Sequence, residues 1–376
     1  MAEPTRVLVL NERDPRHPKA GGAEVHLAEL APRMRARGFE FTQLACSFRD
    51  SAAEERVDDL HVVRLGPLPV YYPRAAYRCA RETRRGHYDV VIEVLAKLPF
   101  YASLYSGVPV LAICHHLFGR TAFLQVPWPV AATVVAAEYA IPTFYRRVPF
   151  VVGSPSTRDD LVARGIGAER IRLIHYGAGS RETATSTAAT PLAQRKQRVC
   201  YLGRLEPYKQ VDVMLRAVAR LTDRFPDVEV LVIGRGIEQP RLEAVARELG
   251  IADRTRFTGF VSDAERDALL ESSRVCVCPS TKEGWGLTVI DANSCGVPVV
   301  ASDVPGLRDS VRDAQTGFLV PDTDVDAFAE RIGRLLDDDD LAARMGDDAR
   351  AWSRRFDWDQ AADDLADSLR AVKRAS

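Results

Sequence analysis

Short runs of large apolar residues alternate with amphipathic stretches along the whole chain, and no other feature restricts its fold as much. Residues 7–10, 90–92, 108–113, 150–152 and 171–174 form a first series of such runs, and residues 199–202, 228–233, 256–258, 275–278 and 297–301 form a second. Short, continuously apolar runs read as strands buried on both faces. The stretches between them carry helical periodicity. The clearest places Val211, Met214, Leu215 and Val218 on one stripe, at i, i+3, i+4 and i+7. Strands alternating with helices make parallel sheets covered on both faces, and a pattern that restarts predicts two α/β domains. A length of 376 residues points the same way, since it exceeds what one core usually serves.

The restart falls after a stretch, residues 177–196, that is rich in Ala, Thr and Ser and almost free of large apolar residues. That composition suits an exposed connection. The expected division is a first domain over 1–178, a linker over 179–196, a second domain over 197–355 and a last helix over 356–376. Pro32 interrupts the helical run 24–37 and predicts a kink. Residues 121–150 are dense in Phe, Trp, Val and Ala. Glu138, Pro142, Arg146 and Arg147 break the stretch too often for a membrane span. It reads as a core helix or as a surface meeting a hydrophobic acceptor or a bilayer, which leaves peripheral contact with a membrane open.

Lys and Arg number 51 against 52 Asp and Glu, a balance that argues against a nucleic-acid partner. The seven cysteines include no C-x-x-C pair and lie mostly in apolar runs, as small buried hydrophobes do in a reducing compartment. The first residues, MAEPTRVLVLNERD, hold too short an apolar run for a signal peptide, so the cytoplasm is the expected location.

Chemistry concentrates in the second half. After the run 275–278 and a Pro-Ser-Thr loop comes Glu283, then Gly284, Trp285, Gly286 and Leu287, where a helix opens, with Asp291 farther along it. Glycines let a ligand approach the backbone, and free amides at a helix N-terminus attract phosphate. Glu283 and Asp291 would stand ~10–12 Å apart on a rise of 1.5 Å per residue, about the span of a diphosphate between a ribose and a sugar. A Gly-containing turn with an exposed acid is the plainer reading. Arg204 and Lys209 follow the run 199–202. A planar fork of donors beside a compact charge suits adjacent phosphates, and the end of a strand is where open α/β sheets bind ligands.

In the first half, Gly21 and Gly22 follow the first strand in the segment AGGAE, a second close-approach loop that lacks the G-x-G-x-x-G pattern of dinucleotide binders. His115 and His116 stand at another strand end, where either could serve a reaction centre. Asp322 and Asp324 form a D-x-D pair, but their place between a strand and a helix suits turn and N-cap duty. No His/Cys/Asp cluster has zinc spacing, and no metal site is expected.

With these segments assembled, the sequence resembles the retaining glycosyltransferases of family 4 nearly end to end. The likeness rests on GGAE, GRLEPYKQVD, PSTKEGWGLTVIDANSCGVPVVASDVPG and TGFLV, in that order. It implies the GT-B fold: two Rossmann-like domains facing a central cleft, with the last helix crossing back to the first domain. It implies transfer of a hexose-type sugar from a nucleoside-diphosphate donor to a hydroxyl acceptor, with retention, no metal and no other cofactor. The acceptor could be a polysaccharide, a lipid carrier or an aglycone. At matching positions Arg204 and Lys209 would bind the diphosphate, Glu283 the sugar, and the amides of Gly284 to Leu287 the phosphates. Asp291 stands where the family usually has a Glu on the ribose, and is one methylene shorter. Val261 would adjoin the base, Gly22 would approach the donor from the first domain, and His115 rather than His116 would lie at the reaction centre. A sugar-nucleotide epimerase, a phosphorylase and a non-catalytic binding paralogue are the rival readings.

Overall fold

The computed structural model describes residues 3–95, 97–124, 126–178 and 192–375. Most of the expected linker, residues 179–191, lies outside the described residues. The chain forms two compact units, one of residues 1–176 with 358–376, the other of residues 177–357.

The first unit holds, in chain order, β1 (Thr5–Leu10), α1 (Gly22–Ala36), β2 (Phe39–Ala45), β3 (Glu54–Val57), β4 (Leu60–Arg64), α2 (Leu68–Arg84), β5 (Val90–Leu95), β6 (Val110–Cys114), α3 (Trp128–Phe144), β7 (Phe150–Val152), α4 (Pro155–Ala163) and β8 (Ile171–Leu173). Its sheet has the order β3-β4-β2-β1-β5-β6-β7-β8, parallel except for the edge pair β3–β4. β3 is charged and largely open to solvent, which is why no apolar run marks it.

α1 continues through Pro32 to Ala36 as one helix. α3 shows both faces expected of residues 121–150. Ala131, Val134, Glu138 and Ile141 are buried, while Trp128 and Tyr139 are 71% and 72% exposed. No helix among the described residues is long and apolar enough to cross a membrane.

The second unit holds β9 (Arg198–Leu202), α5 (Val211–Ala219), β10 (Glu229–Ile233), α6 (Gln239–Glu248), β11 (Thr255–Gly259), α7 (Asp263–Glu271), β12 (Val275–Cys278), α8 (Leu287–Ser294), β13 (Val299–Ser302), α9 (Leu307–Ser310), β14 (Gly317–Val320), α10 (Val325–Asp337) and α11 (Asp339–Ser353). Its six strands are all parallel, in the order β11-β10-β9-β12-β13-β14. Apolar side chains cover both faces of this sheet, which accounts for the unalternating runs. All seven cysteines are buried, and none forms a disulfide among the described residues. Asp324 caps α10 by accepting from the Ala327 amide, and Asp338 caps α11 in the same way through Leu341.

α12 (Trp358–Arg374) closes the chain as part of the first unit. Trp358, Leu365 and Leu369 are buried along its inner stripe. Arg37, the C-cap of α1, donates to Asp363 at 2.7 Å, Arg172 donates to Asp364 at 2.6 Å, and Lys373 pairs with Asp89 at 3.3 Å. Burial of the stripe supplies most of the attachment, because exposed ion pairs contribute little.

Candidate active site

In the second unit the strand order reverses direction between β9 and β12, the switch point where doubly wound sheets leave a crevice beyond the carboxyl ends of their strands. Both motif loops begin there. Gly203 leaves β9 with φ +146, and its amide donates to the Ile233 carbonyl at 3.0 Å. One turn of 3₁₀ helix, Pro207–Lys209, then brings Lys209 inward. From β12 the chain runs through Ser280 and Thr281 to Glu283. The Thr281 amide donates to the Tyr208 carbonyl at 2.9 Å and ties the two loops together.

Lys209 and Glu283 meet directly, with Nζ donating to Oε1 at 2.5 Å. Their side chains are only 11% and 14% exposed, so this pair is shielded from water. Burial works to lower the Lys209 pKa; the Glu283 carboxylate, together with Tyr208, Tyr201 and Cys278, outweighs it and raises that pKa above the ordinary lysine value. Arg204 donates from Nη2 to the Tyr208 hydroxyl at 3.0 Å, while Tyr201 donates to the Arg204 carbonyl at 2.8 Å. Two cationic side chains and a carboxylate are thus held at the ends of β9 and β12, Arg204 by its own loop and Lys209 and Glu283 by each other.

Gly286 is the N-cap of α8 in the left-handed region, φ 75 and ψ 48, and a Cβ there would come within 2.6 Å of Ser310 Oγ. Trp285 is buried and packs edge-on to Phe356 at 4.9 Å. Asp291 lies one turn into α8, buried, with Arg266 of α7 facing it. Burial works against the Arg266 charge, and Asp291 leads the carboxylates that outweigh it and raise its pKa. Val261 packs against the core just beyond β11. Beside it Phe260 is 76% exposed, with the Arg235 guanidinium 5.2 Å from its ring centre.

Gly21, Gly22 and His115 belong to the first unit. Gly21 is the N-cap of α1, and its amide donates to the Glu24 carboxylate at 2.7 Å, so the acid of the GGAE segment caps the helix. A Cβ built on Gly22 would meet nothing within 4 Å. One turn on, His26 is buried against His115, ring centres 5.3 Å apart and edge-on. Tyr176 completes this cluster, its hydroxyl 2.6 Å from His115 Nδ1, and Trp358 lies behind it. Burial raises the Tyr176 phenol pKa, and the bond between its hydroxyl and Nδ1 fixes the orientation of the His115 ring. Nε2 is buried and has no hydrogen-bond partner among the described residues. His116 instead packs on Phe118 at 4.7 Å.

Burial, reinforced by His116, lowers the His115 pKa to about 3, and burial reinforced by His115 lowers that of His26 well below 6.5. Unfolded histidines titrate near about 6.5. Below that pH the unfolded chain binds the extra protons, so stability falls as pH drops from about 6.5 towards 3. Stability, followed as the melting temperature between pH 7 and pH 5, should therefore decline on acidification, by at most about 1.4 kcal/mol of unfolding free energy per pH unit for each ring. His26→Gln should flatten that decline; an unchanged slope would remove His26 from the account.

The structure thus joins Arg204, Lys209, Glu283 and the start of α8 in one unit, and Gly22 and His115, through His26, in the other. His26, Tyr176, Tyr208 and Arg266 also line these clusters, and Gly306 abuts them, a Cβ on it falling 2.3 Å from the Glu283 carbonyl oxygen. Tyr208 and Gly306 lie inside quoted motifs, whereas no spacing marks Tyr176 or Arg266.

Two doubly wound α/β units, the second with a cationic switch point, define the GT-B class. Residues 20–178 match Glycosyltransferase Family 4 and residues 183–352 match Glycosyl transferases group 1. The D-inositol 3-phosphate glycosyltransferase of Streptomyces scabiei is 30% identical over 380 residues, covering 91% of this chain and 84% of that protein. The enzyme of the same name from Salinispora tropica is 30% identical over 392 residues, covering 93% and 80%. Among solved structures, sucrose-phosphate synthase from Thermosynechococcus elongatus superposes with a TM-score of 0.80 at 22% identity, covering 99% of this chain and 100% of that one. Anabaena HepE in complex with UDP and glucose gives 0.75 at 21%, covering 98% and 100%. The chain belongs to the family 4 glycosyltransferases, those whose C-terminal halves form glycosyl transferases group 1.

Proposed function

We propose that this glycosyltransferase moves a hexose, with retention, from a nucleoside-diphosphate donor to a hydroxyl acceptor, working in the cytoplasm without a metal ion. The observation that carries the reading is the shielded Lys209–Glu283 pair beside Arg204 and the opening of α8, all at the switch point of the second sheet. Arg204 and Lys209 take up the charge that grows on the departing diphosphate, with the amides from Gly284 to Leu287 adding the positive end of α8. Glu283 accepts from sugar hydroxyls, and Asp291, buried on the same helix, accepts from the ribose. Val261 lies against the base. From the first unit, Gly21 and Gly22 offer backbone to the donor, and His115 turns Nε2, which has no partner among the described residues, to a substrate hydroxyl. The acceptor hydroxyl attacks from the face the diphosphate leaves, and a leaving phosphate oxygen takes its proton.

The relatives' names make D-inositol 3-phosphate the first acceptor to try, and the HepE complexes make UDP the first nucleotide. Thermal stability of wild type and Arg204→Ala is to be measured with UDP, GDP, ADP and dTDP at about 1 mM. A nucleotide at ~100 times its Kd stabilises by ~2.7 kcal/mol. One of the four is expected to stabilise the wild type and to lose that effect in the variant. Stabilisation by none would sink the donor site. Consumption of the sugar nucleotide with no acceptor present would favour an epimerase.

A further inference from the structure

One cavity lies outside the site just described. It occupies about 400 Å³ in the first unit, between the end of β4 and the outer face of α2, and is lined by Leu65, Gly66, Arg74, Tyr77, Arg78 and Arg81, with Arg64 behind. The arginines are not equivalent. Arg64 is fully buried and neutralised by Asp14, with contacts of 2.8 and 2.9 Å, and by Glu55. Arg81 is paired with Glu82. Arg74 and Arg78 have no carboxylate partner among the described residues.

These side chains are also placed. α2 buries Tyr71, Ala75, Cys79 and Thr83 on its inner face, which turns Arg74, Arg78 and Arg81 outward along one stripe. Like charges at that spacing disfavour a helix, so the arrangement gains nothing within the chain. The Arg74 guanidinium is pinned by donating from Nη1 to the Leu65 carbonyl at 3.0 Å. Gly66 makes room for it. Its φ is +103, and a Cβ there would come within 2.7 Å of Arg74 Nη1. Tyr77, 68% exposed, brings a phenol to the same wall.

We propose that this cavity binds a phosphate monoester. Two unpaired guanidinium charges match the −1.5 to −2 or so that such a group carries at neutral pH. Planar N–H forks are the donors that suit its oxygens. The site is separate from the sugar-transfer reaction proposed above and does not rest on it. A phosphorylated soluble molecule and a phosphatidic acid headgroup present the same chemistry.

Titration calorimetry with glycerol 3-phosphate, and with glycerol as blank, examines the first source. Cosedimentation with phosphatidylcholine vesicles with and without phosphatidic acid examines the second. The proteins are wild type, Arg78→Gln, Arg74→Gln/Arg78→Gln and Lys209→Ala. Wild type should bind in at least one arm, and the arm that responds names the source. The double variant should weaken that binding by about tenfold or more, the scale of losing charge-assisted bonds. Lys209→Ala should bind within about twofold of wild type, since it alters only the other unit. Among the described residues Arg78 donates no hydrogen bond, so Arg78→Gln, expected to weaken binding by about threefold or more, decides the matter if the double variant fails to fold. Absence of binding in both arms, equal binding by the arginine variants, or loss of binding in Lys209→Ala instead would each overturn the site.

Discussion

Lys209→Ala is expected to lower kcat/KM by about 10²-fold or more, the scale of losing one charge that faces the transition state. The same substitution should cost stability. It leaves the Glu283 carboxylate, 14% exposed, without the ammonium that now donates to it at 2.5 Å. Removing one partner of a shielded pair costs about 3 kcal/mol or more. The two effects can be separated with Lys209→Met/Glu283→Gln, which removes both charges while keeping much of the volume. That variant should regain most of the melting temperature and none of the activity. Arg204→Ala should match the loss of kcat/KM. Steady-state kinetics and thermal melts on the same preparations check all three. Turnover near wild type in Lys209→Ala and Arg204→Ala would remove both residues from the assigned phosphate roles.

Gly306→Ala should be nearly as damaging, although its backbone lies outside the loops that carry the candidate side chains. Gly306 is the N-cap of α9 at φ 84 and ψ −45, a conformation costly for any residue with a Cβ. A Cβ there would stand 2.3 Å from the Glu283 carbonyl oxygen and 2.7 Å from its carbon. Relieving that overlap moves the Glu283–Gly284 backbone by about 1 Å, and displacement on that scale near a reacting group costs about 10²-fold. Strain adds a loss of about 1–3 kcal/mol in stability. The Glu283 amide also donates to the Pro305 carbonyl at 3.4 Å, so the two segments move together. Kinetics should show the loss in kcat as well as KM, and Ser in place of Ala should fare no better. A Gly306→Ala enzyme of normal activity would mean that the loop tolerates displacement and that Glu283 need not be closely placed.

These two positions also mark what can be read from the chain alone. Lys209 and Glu283 stand out in sequence because each follows an apolar run at the distance a strand-to-helix loop requires. Gly306 does not stand out, because its need for glycine arises from a backbone oxygen 23 residues earlier in the chain. The same holds in the first unit. His115 is marked by its strand, but His26 and Tyr176 are brought to it by α1 and by the chain after β8. Among strands, the doubly buried ones announce themselves as runs of Val, Ile and Leu. β3 is a charged edge strand and carries no such signal. β2 has exposed Glu40 and half-buried Thr42 interrupting its buried residues, so its pattern is weaker.

Local physics determined which segments are strands, which are helices and which loops carry phosphate-seeking chemistry, since each of those depends on residues a few positions apart. Only the tertiary structure decided that β9 lies beside β12, and so that side chains 74 residues apart share one ion pair. It also decided that Arg266 faces Asp291, and that two arginines on α2 have no carboxylate partner among the described residues. Which charges meet depends on the order of strands in a sheet. That order is chosen by the burial of whole faces and has no counterpart in the spacing of residues along the chain.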